Sequence, residues 1–273
     1  MAESYMRVER HAAEGYALVV LAREPVNTMN LAFWQQLAAT LTELEGDPAI
    51  RGAIFCSGLK RDVFTAGNDI RELYAPLTSR ERYREFWVQS NRFLTRLLTS
   101  PLVTIAAIRG ACPAGGCCLS MCCDYRVMTE QGSIGLNEVA LGISVPKMWA
   151  RLMARLVGQG AAERLLQNAA MLSPGEARAA GLVDEVVPKE KLLETAEAAM
   201  RRWLQAPDFS RAETKRLQRG EFATEWEAYA HTEADYAWDL LSSPAVVKQL
   251  GGVLARLGGG GAKEGGGGAK SRL

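Results

Sequence analysis

The chain is poor in histidine. Of its 273 residues only His11 and His231 carry an imidazole, and both fall in polar or helical surroundings. This argues against a histidine-based metal site and against a Ser-His-Asp triad. An excess of either charge is also missing. Lys and Arg number 32 against 31 Asp and Glu, a formal net charge of +1. Nucleic acid is therefore not the expected partner, because phosphate binding leaves a clear basic excess. No apolar run reaches the ~18 residues of a membrane span. Met1-Ala2-Glu3-Ser4 lacks the basic-then-apolar start of a secretory signal. The six cysteines stand at 56, 112, 117, 118, 122 and 123. Their adjacent pairs fit neither zinc-ligand spacing nor a secreted disulfide framework. Reduced, buried thiols in a reducing compartment are expected.

What remains is ordinary globular composition, with 48% hydrophobic and 23% charged residues, enough for one or two domains with a full core. Residues 5–22 read as a strand pair turning at Glu14-Gly15, and Tyr16–Leu21 is an apolar run. Leu31 to Leu44 has helical spacing behind an Asn30 cap. Gly52–Cys56 is a short buried strand, followed by a polar loop over 57–65. A long helix is predicted over Arg80–Leu98, with Phe86, Val88, Phe93 and Leu97 inward. Val103–Ile108 is another strand, followed by a glycine-rich turn over 110–116. Tyr125–Met128 is a further strand. This alternation predicts an α/β fold with substantial parallel pairing. Beyond residue 145 the pattern is almost wholly helical, with separate helices expected at Ser210–Arg219, Tyr229–Leu241 and Pro244–Leu257. Ser173-Pro174 with Glu176 is a helix start. The tail repeats Gly-Gly-Gly-Gly-Ala-Lys twice, reads as a flexible linker, and ends in Ser271-Arg272-Leu273.

Three short stretches carry candidate chemistry. Phe64-Thr65-Ala66-Gly67-Asn68-Asp69-Ile70 lets backbone approach a ligand and offer a free N–H; on its own it reads as a loop-to-helix turn capped by Asp69. Gly110-Ala111-Cys112-Pro113-Ala114-Gly115-Gly116-Cys117 follows a buried strand and opens a helix, where N–H groups favour an oxyanion. On its own it reads as close helix–sheet packing, and it lacks the Gly-Lys-Ser/Thr ending of a phosphate loop. Ile134-Gly135-Leu136-Asn137-Glu138-Val139-Ala140-Leu141-Gly142-Ile143 places one Glu among apolar residues. Burial there would raise its pKa and suit a general base, whereas most glutamates are exposed.

In this order and spacing, the three stretches resemble the enoyl-CoA hydratase/isomerase (crotonase) superfamily over roughly residues 5–257. Pro25-Val26-Asn27, Cys123-Asp124-Tyr125-Arg126 and the run from Ala177 to Pro188 add to the likeness. The resemblance implies a crotonase-like ββα spiral core with a C-terminal helical oligomerisation region. The boundaries read as 1–200 for the catalytic core, 201–257 for the helical region and 258–273 for the tail. Within the superfamily the Ala-Cys-Pro-Ala-Gly-Gly-Cys run and Gly-Leu-Asn-Glu are similar to the mitochondrial-type Δ3,Δ2-enoyl-CoA isomerase branch. Hydratases carry two glutamates; here Cys118 stands at the first position and Glu138 at the second.

The resemblance implies an acyl-CoA substrate whose CoA is part of the substrate, with no metal or redox cofactor. It assigns Glu138 as the proton shuttle and the N–H groups of Asn68 and Gly115 as the oxyanion hole. Being backbone donors, they leave the identity of the Asn68 side chain of little account. Thr65, Ala66, Gly67, Asn68, Asp69, Gly115 and Asn137 are the expected substrate contacts. Trp149 and Phe86 are candidates for the acyl tunnel or the core, and Lys248 and Arg256 for CoA phosphates or a solvated helix face. A homotrimer or hexamer is implied. Ser271-Arg272-Leu273 matches a peroxisomal targeting tripeptide, so a peroxisomal import receptor and a peroxisomal location are expected. Two rivals stay open: a 2-enoyl-CoA hydratase using Asp69 or Glu72 as its second acid, and a non-catalytic acyl-CoA-binding protein.

Overall fold

The computed structural model describes residues 4–259. The glycine-rich tail from residue 260 and the Ser271-Arg272-Leu273 tripeptide lie outside the described residues. Six strands form one sheet in sequence order: β1 (Met6–His11), β2 (Tyr16–Leu21), β3 (Gly52–Ser57), β4 (Val103–Pro113), β5 (Tyr125–Gly135) and β6 (Glu185–Val187). Only β1 and β2 run antiparallel; every later pair is parallel. Each crossover therefore advances the chain one strand in the same direction, which gives the spiral that the sequence implies.

Both faces of the sheet are covered, so β2 is buried at every position, as a parallel sheet requires. Strand alternation sorts the side chains between two cores. Tyr16, Leu18, Val20, Ile54, Ile105 and Val127 pack on one face against Ala196, Ala199 and Met200 of α8 (Leu192–Trp203). Ala17, Val19, Leu21, Phe55, Ala106 and Met128 point to the larger core on the other face. That core is built by α1 (Leu31–Glu45), the short α2 (Ile70–Leu73), α3 (Arg80–Thr99), α4 (Gly115–Cys122), α5 (Lys147–Val157), α6 (Gln159–Gln167), α7 (Pro174–Ala179) and the C-terminal helices α9 (Asp208–Leu241) and α10 (Pro244–Gly259). Asn30 caps α1 by accepting the Phe33 N–H, and Ser173 with Glu176 forms a reciprocal capping box on α7.

Several elements differ from the sequence reading. The expected turn over 110–116 is strand as far as Pro113, because Gly110–Pro113 pairs with Gly132–Gly135. Glycine is needed at 110: its φ is +72°, and a Cβ there would lie 1.9 Å from the Asp62 carbonyl oxygen. The region after residue 145 is not purely helical, since β6 pairs with Val127–Thr129. The helices expected at 210–219 and 229–241 are one 34-residue helix, α9. A buried charge cluster fixes α9 to the sheet: Asp124 accepts Lys215 Nζ at 2.6 Å and Arg219 Nη1 at 2.9 Å, and takes the Thr104 N–H at 2.9 Å. All six cysteines are unbridged, and five of them are buried. Among the described residues no helix is long and apolar enough to cross a membrane.

Candidate active site

The three candidate stretches lie at or just beyond the carboxyl ends of β3, β4 and β5, where open parallel sheets present their ligands. The loop after β3 is tied down before it reaches the site. Asn27, fully buried and at φ 53°, donates through Nδ2 to the Phe64 carbonyl at 3.0 Å, the Leu21 carbonyl at 3.3 Å and Ser57 Oγ at 3.2 Å. Thr65 Oγ1 donates to the Asn27 carbonyl at 2.7 Å and accepts the Gly67 N–H at 3.0 Å. Met29 then bridges the loop, giving its N–H to Gly67 O and taking the Asp69 N–H. This bridge uses the groups on either side of Asn68 and leaves the Asn68 N–H free of a partner among the described residues.

After β4 the chain turns at Ala114, whose φ of 50° and ψ of −123° are strained for a residue with a Cβ. The Ala114 N–H to Gly135 carbonyl bond of 2.8 Å holds it there. Gly115 opens α4, and its N–H has no acceptor within the helix, as in every first helical turn. A Cβ on Gly115 would stand 3.0 Å from Asn68 Oδ1, and one on Gly116 only 2.5 Å from Thr65 Cγ2. The glycines therefore let α4 approach the Asn68 loop. The Asn68 side chain is not idle: its Oδ1 accepts the Trp34 indole N–H at 3.2 Å. This bond ties the loop that carries the Asn68 N–H to Trp34 of α1.

β5 ends at Gly135, the partner of Ala114, so Glu138 emerges beside the turn. It begins a short 3-10 turn (Glu138–Leu141) closed by Gly142. Glu138 is 4% exposed. Neither carboxylate oxygen has a hydrogen-bond partner among the described residues. Burial pushes its pKa up to about 7, because a desolvated carboxylate is disfavoured against its neutral form. The Glu138 charge is also felt by Cys117 and Cys118 of α4, raising both thiols beyond the rise that burial causes. Cys118, fully buried on α4, carries no carboxyl.

A cavity of about 1100 Å³ opens over this point. Glu138 lines it, as do Ala66, Asn68, Asp69 and Asn137 of the expected substrate contacts. Thr65, Gly67 and Gly115 do not, and the Thr65 hydroxyl is fully used in holding the loop. Trp149 and Arg256 also line the cavity, whereas Phe86 sits in the core and Lys248 is elsewhere. Of the alternative second acids, Glu72 is engaged by the Leu31 N–H at 3.0 Å and by Arg82 at 2.8 Å. Asp69 caps α2 and pairs with Arg23 at 3.3 Å. The sequence reading missed Arg23, Arg61 and Arg71 at one part of the cavity and Trp87 and Glu233 at another. Arg61 and Arg71 flank the first stretch and could have been marked; Glu233 has no local signal. Among the described residues no group of three His, Cys, Asp or Glu is placed to hold a metal ion.

A buried, unpaired carboxyl that titrates near neutrality can take a proton from a carbon acid and return it. Main-chain N–H groups beside it can hold a developing oxyanion. The family model described as enoyl-CoA hydratase/isomerase matches residues 11–247, and the chain belongs to this family. It is 40% identical to the mouse (Mus musculus) mitochondrial enoyl-CoA delta isomerase 1 over 214 residues, 78% of this chain and 73% of that protein. The crystal structure of human mitochondrial Δ3,Δ2-enoyl-CoA isomerase superposes with a TM-score of 0.90 at 35% identity, covering 94% of this chain and 99% of that one. An enoyl-CoA hydratase from Bacillus halodurans superposes at 0.83 with 23% identity, covering 91% and 100%. That last likeness concerns the fold alone, so the side chains must separate isomerase from hydratase.

Proposed function

We propose that this chain is a Δ3,Δ2-enoyl-CoA isomerase, moving the double bond of a 3-enoyl-CoA thioester to the 2-trans position in fatty-acid β-oxidation. The observation that carries this reading is the solitary Glu138: buried, unpaired, and accompanied by Cys118 where hydration would need a second carboxylate to hold water.

The substrate's C2 proton lies between the thioester carbonyl and the C3–C4 alkene, so its loss gives a delocalised dienolate. Glu138 in its carboxylate form takes that proton, and the C2–H electron pair delocalises towards the thioester oxygen. The Asn68 and Gly115 N–H groups hold the resulting oxyanion. Glu138 then returns the proton to C4, and the electrons settle as a C2–C3 double bond conjugated with the carbonyl. The same group acts as base and acid, so a value near neutrality suits both half-steps. The substrate is its own electron sink, and CoA enters as part of it. Leu141 and Ile143 beside Glu138 keep water from the dienolate, and Asn137 borders the reacting carbons.

Assembly into a homotrimer or hexamer belongs to the same proposal and is supported by the exposed Phe209 and Leu217 on α9. Entry into peroxisomes through a receptor reading Ser271-Arg272-Leu273 is supported by that tripeptide only. The relatives described above are named mitochondrial.

The test offers purified protein a 3-enoyl-CoA and follows the absorbance of the conjugated thioester. It then offers a 2-enoyl-CoA and looks for the 3-hydroxyacyl product. Isomerisation is expected. Hydration without isomerisation would instead establish a hydratase, and binding without turnover of either would leave a non-catalytic acyl-CoA-binding protein.

A further inference from the structure

A fully buried asparagine sits at the meeting point of three helices beside the cavity. Asn91 belongs to α3. Its Oδ1 accepts two indole N–H groups, Trp149 Nε1 of α5 at 3.2 Å and Trp226 Nε1 of α9 at 2.8 Å. Its Nδ2 donates at 2.7 Å to the Trp87 carbonyl, one turn earlier on its own helix. One carboxamide therefore joins α3, α5 and α9. Burying such a group costs free energy that its hydrogen bonds offset. An apolar side chain at 91 with phenylalanines at 149 and 226 would need no such match. What the amide adds is direction, because a fully matched polar group inside a core selects one arrangement of its neighbours. The two indoles it holds differ in what they face. Trp149 lines the cavity and Trp226 does not. Trp149 is also held twice: its N–H edge by Asn91, and its ring face by stacking on Trp87 with centroids 5.5 Å apart at 28°. The edge bond restrains rotation in the ring plane and the stack restrains tilt, so this part of the wall is rigid. With Leu141, Ile143, Ala237 and Leu240 it makes an apolar lining, the part of the cavity suited to a hydrocarbon chain.

We propose that Asn91 is a positioning residue for acyl-chain selection: by fixing the Trp149 indole in the cavity wall, it sets the longest chain that the enzyme accepts well. This rests on the reading of the cavity as an acyl-thioester site. Asn91 touches no substrate and takes no part in proton transfer. It acts through Trp149, and Trp149 acts by shape. A chain that reaches the fixed ring must stop there or bend, whereas a ring free to swing yields to further methylenes. One methylene too many or too few against an apolar wall changes kcat/KM by about tenfold or more, so the placement of a single ring is enough to set a length preference.

The experiment measures kcat and KM for a series of straight-chain 3-enoyl-CoA thioesters of rising length. It compares the wild-type protein with Asn91→Leu, Trp149→Phe, the double variant and Trp226→Phe. Phenylalanine at 149 shortens the ring and removes the N–H that Asn91 holds. Phenylalanine at 226 removes the other N–H at a site away from the cavity. The wild-type profile is expected to fall off beyond one length. Trp149→Phe is expected to raise kcat/KM for longer chains, relative to the wild-type optimum, by about tenfold, mainly through KM. Asn91→Leu is expected to move the profile in the same direction, and the double variant to go no further than Trp149→Phe. Trp226→Phe is expected to lower the melting midpoint and keep the wild-type profile, which separates selection from mere stability. A wild-type profile with no fall-off overturns the proposal. So does an Asn91→Leu profile that matches wild type, or a shift that adds fully to that of Trp149→Phe. If Asn91→Leu does not fold, Asn91→Ser, too short to reach both indoles, decides in its place by the same criteria. No turnover of any length by the wild type would count against the isomerase reading itself, whereas turnover with an unmoved profile would overturn only the role of Asn91.

Discussion

Replacing Glu138 with Gln should slow proton transfer severely and, above neutral pH, make the protein more stable. The folded state holds this carboxyl at about 7 against an ordinary glutamate value of 4.5. At about 1.4 kcal/mol per pH unit, the gap corresponds to about 3 kcal/mol, an order-of-magnitude figure. Below pH 4.5 the group is neutral both folded and unfolded, and the penalty is absent. Between 4.5 and about 7 the unfolded chain releases the proton while the folded chain retains it, so Glu138 lowers stability as pH rises. Above about 7 both states are ionised and the full penalty stands. The substituted glutamine does not titrate, so its own packing cost is the same at every pH. Denaturant melts of both proteins at pH 5 and pH 8.5 isolate the ionisation: the advantage of E138Q over wild type should be about 2–3 kcal/mol larger at the higher pH. A difference between the two proteins that does not change with pH would refute the claim that this carboxylate is held dry and unpaired, and with it the physical basis of its basicity.

The pH dependence of isomerase kcat/KM should rise through about 7 and then level off, as the Glu138 base form fills, and E138Q should lose about 10²–10⁴-fold in rate; a rate still rising steeply above pH 9 would point to another base. Gly115→Ala places a Cβ 3.0 Å from Asn68 Oδ1, so kcat should fall by about 10²-fold, with KM changed less, if both N–H donors serve the oxyanion. Asn27→Ala frees the loop that carries Asn68 and should cost about 2–3 kcal/mol in a urea melt, with a loss of activity larger than the loss of folded protein at 25 °C. Lys215→Met leaves Asp124 buried with one cation fewer and should destabilise by about 3 kcal/mol, seen as a lowered melting midpoint.

The fold was legible where burial is two-sided or one-striped. The apolar run of β2, the Leu31–Leu44 stripe behind Asn30 and the Ser173 cap each state their structure locally. The misses share another cause. Gly110–Pro113 looks like a turn and Gly132–Gly135 lies beyond the strand expected at Tyr125–Met128; both are strand because each supplies the other's ladder, which no local rule contains. Glu185-Val186-Val187 is too short to declare itself. The run around Arg219-Gly220-Glu221 breaks the apolar stripe of α9, yet the buried Lys215 and Phe222 on either side keep it continuous. At the site, Glu138, Asn68 and Gly115 were found through stretches whose order along the chain carries the resemblance. The loop scaffold of Asn27, Thr65 and Trp34 was only hinted at by Pro25-Val26-Asn27. Trp87 and Glu233 were invisible, since they sit on helices far apart in sequence and meet only through the packing of those helices.

The unbroken course of α9 has a mechanical consequence. Lys215 is anchored in the sheet through Asp124, and Glu233, eighteen residues later, sets the start of α5 through the Lys147 N–H. At 1.5 Å per residue the two fixings lie about 27 Å apart on one rod. The helix therefore works as a ruler between the strand scaffold and the far wall of the substrate chamber. Inserting or deleting a single residue between the two marks would turn one of them about 100° away from its partner, retuning the chamber from a distance while leaving Glu138 and its backbone amides untouched.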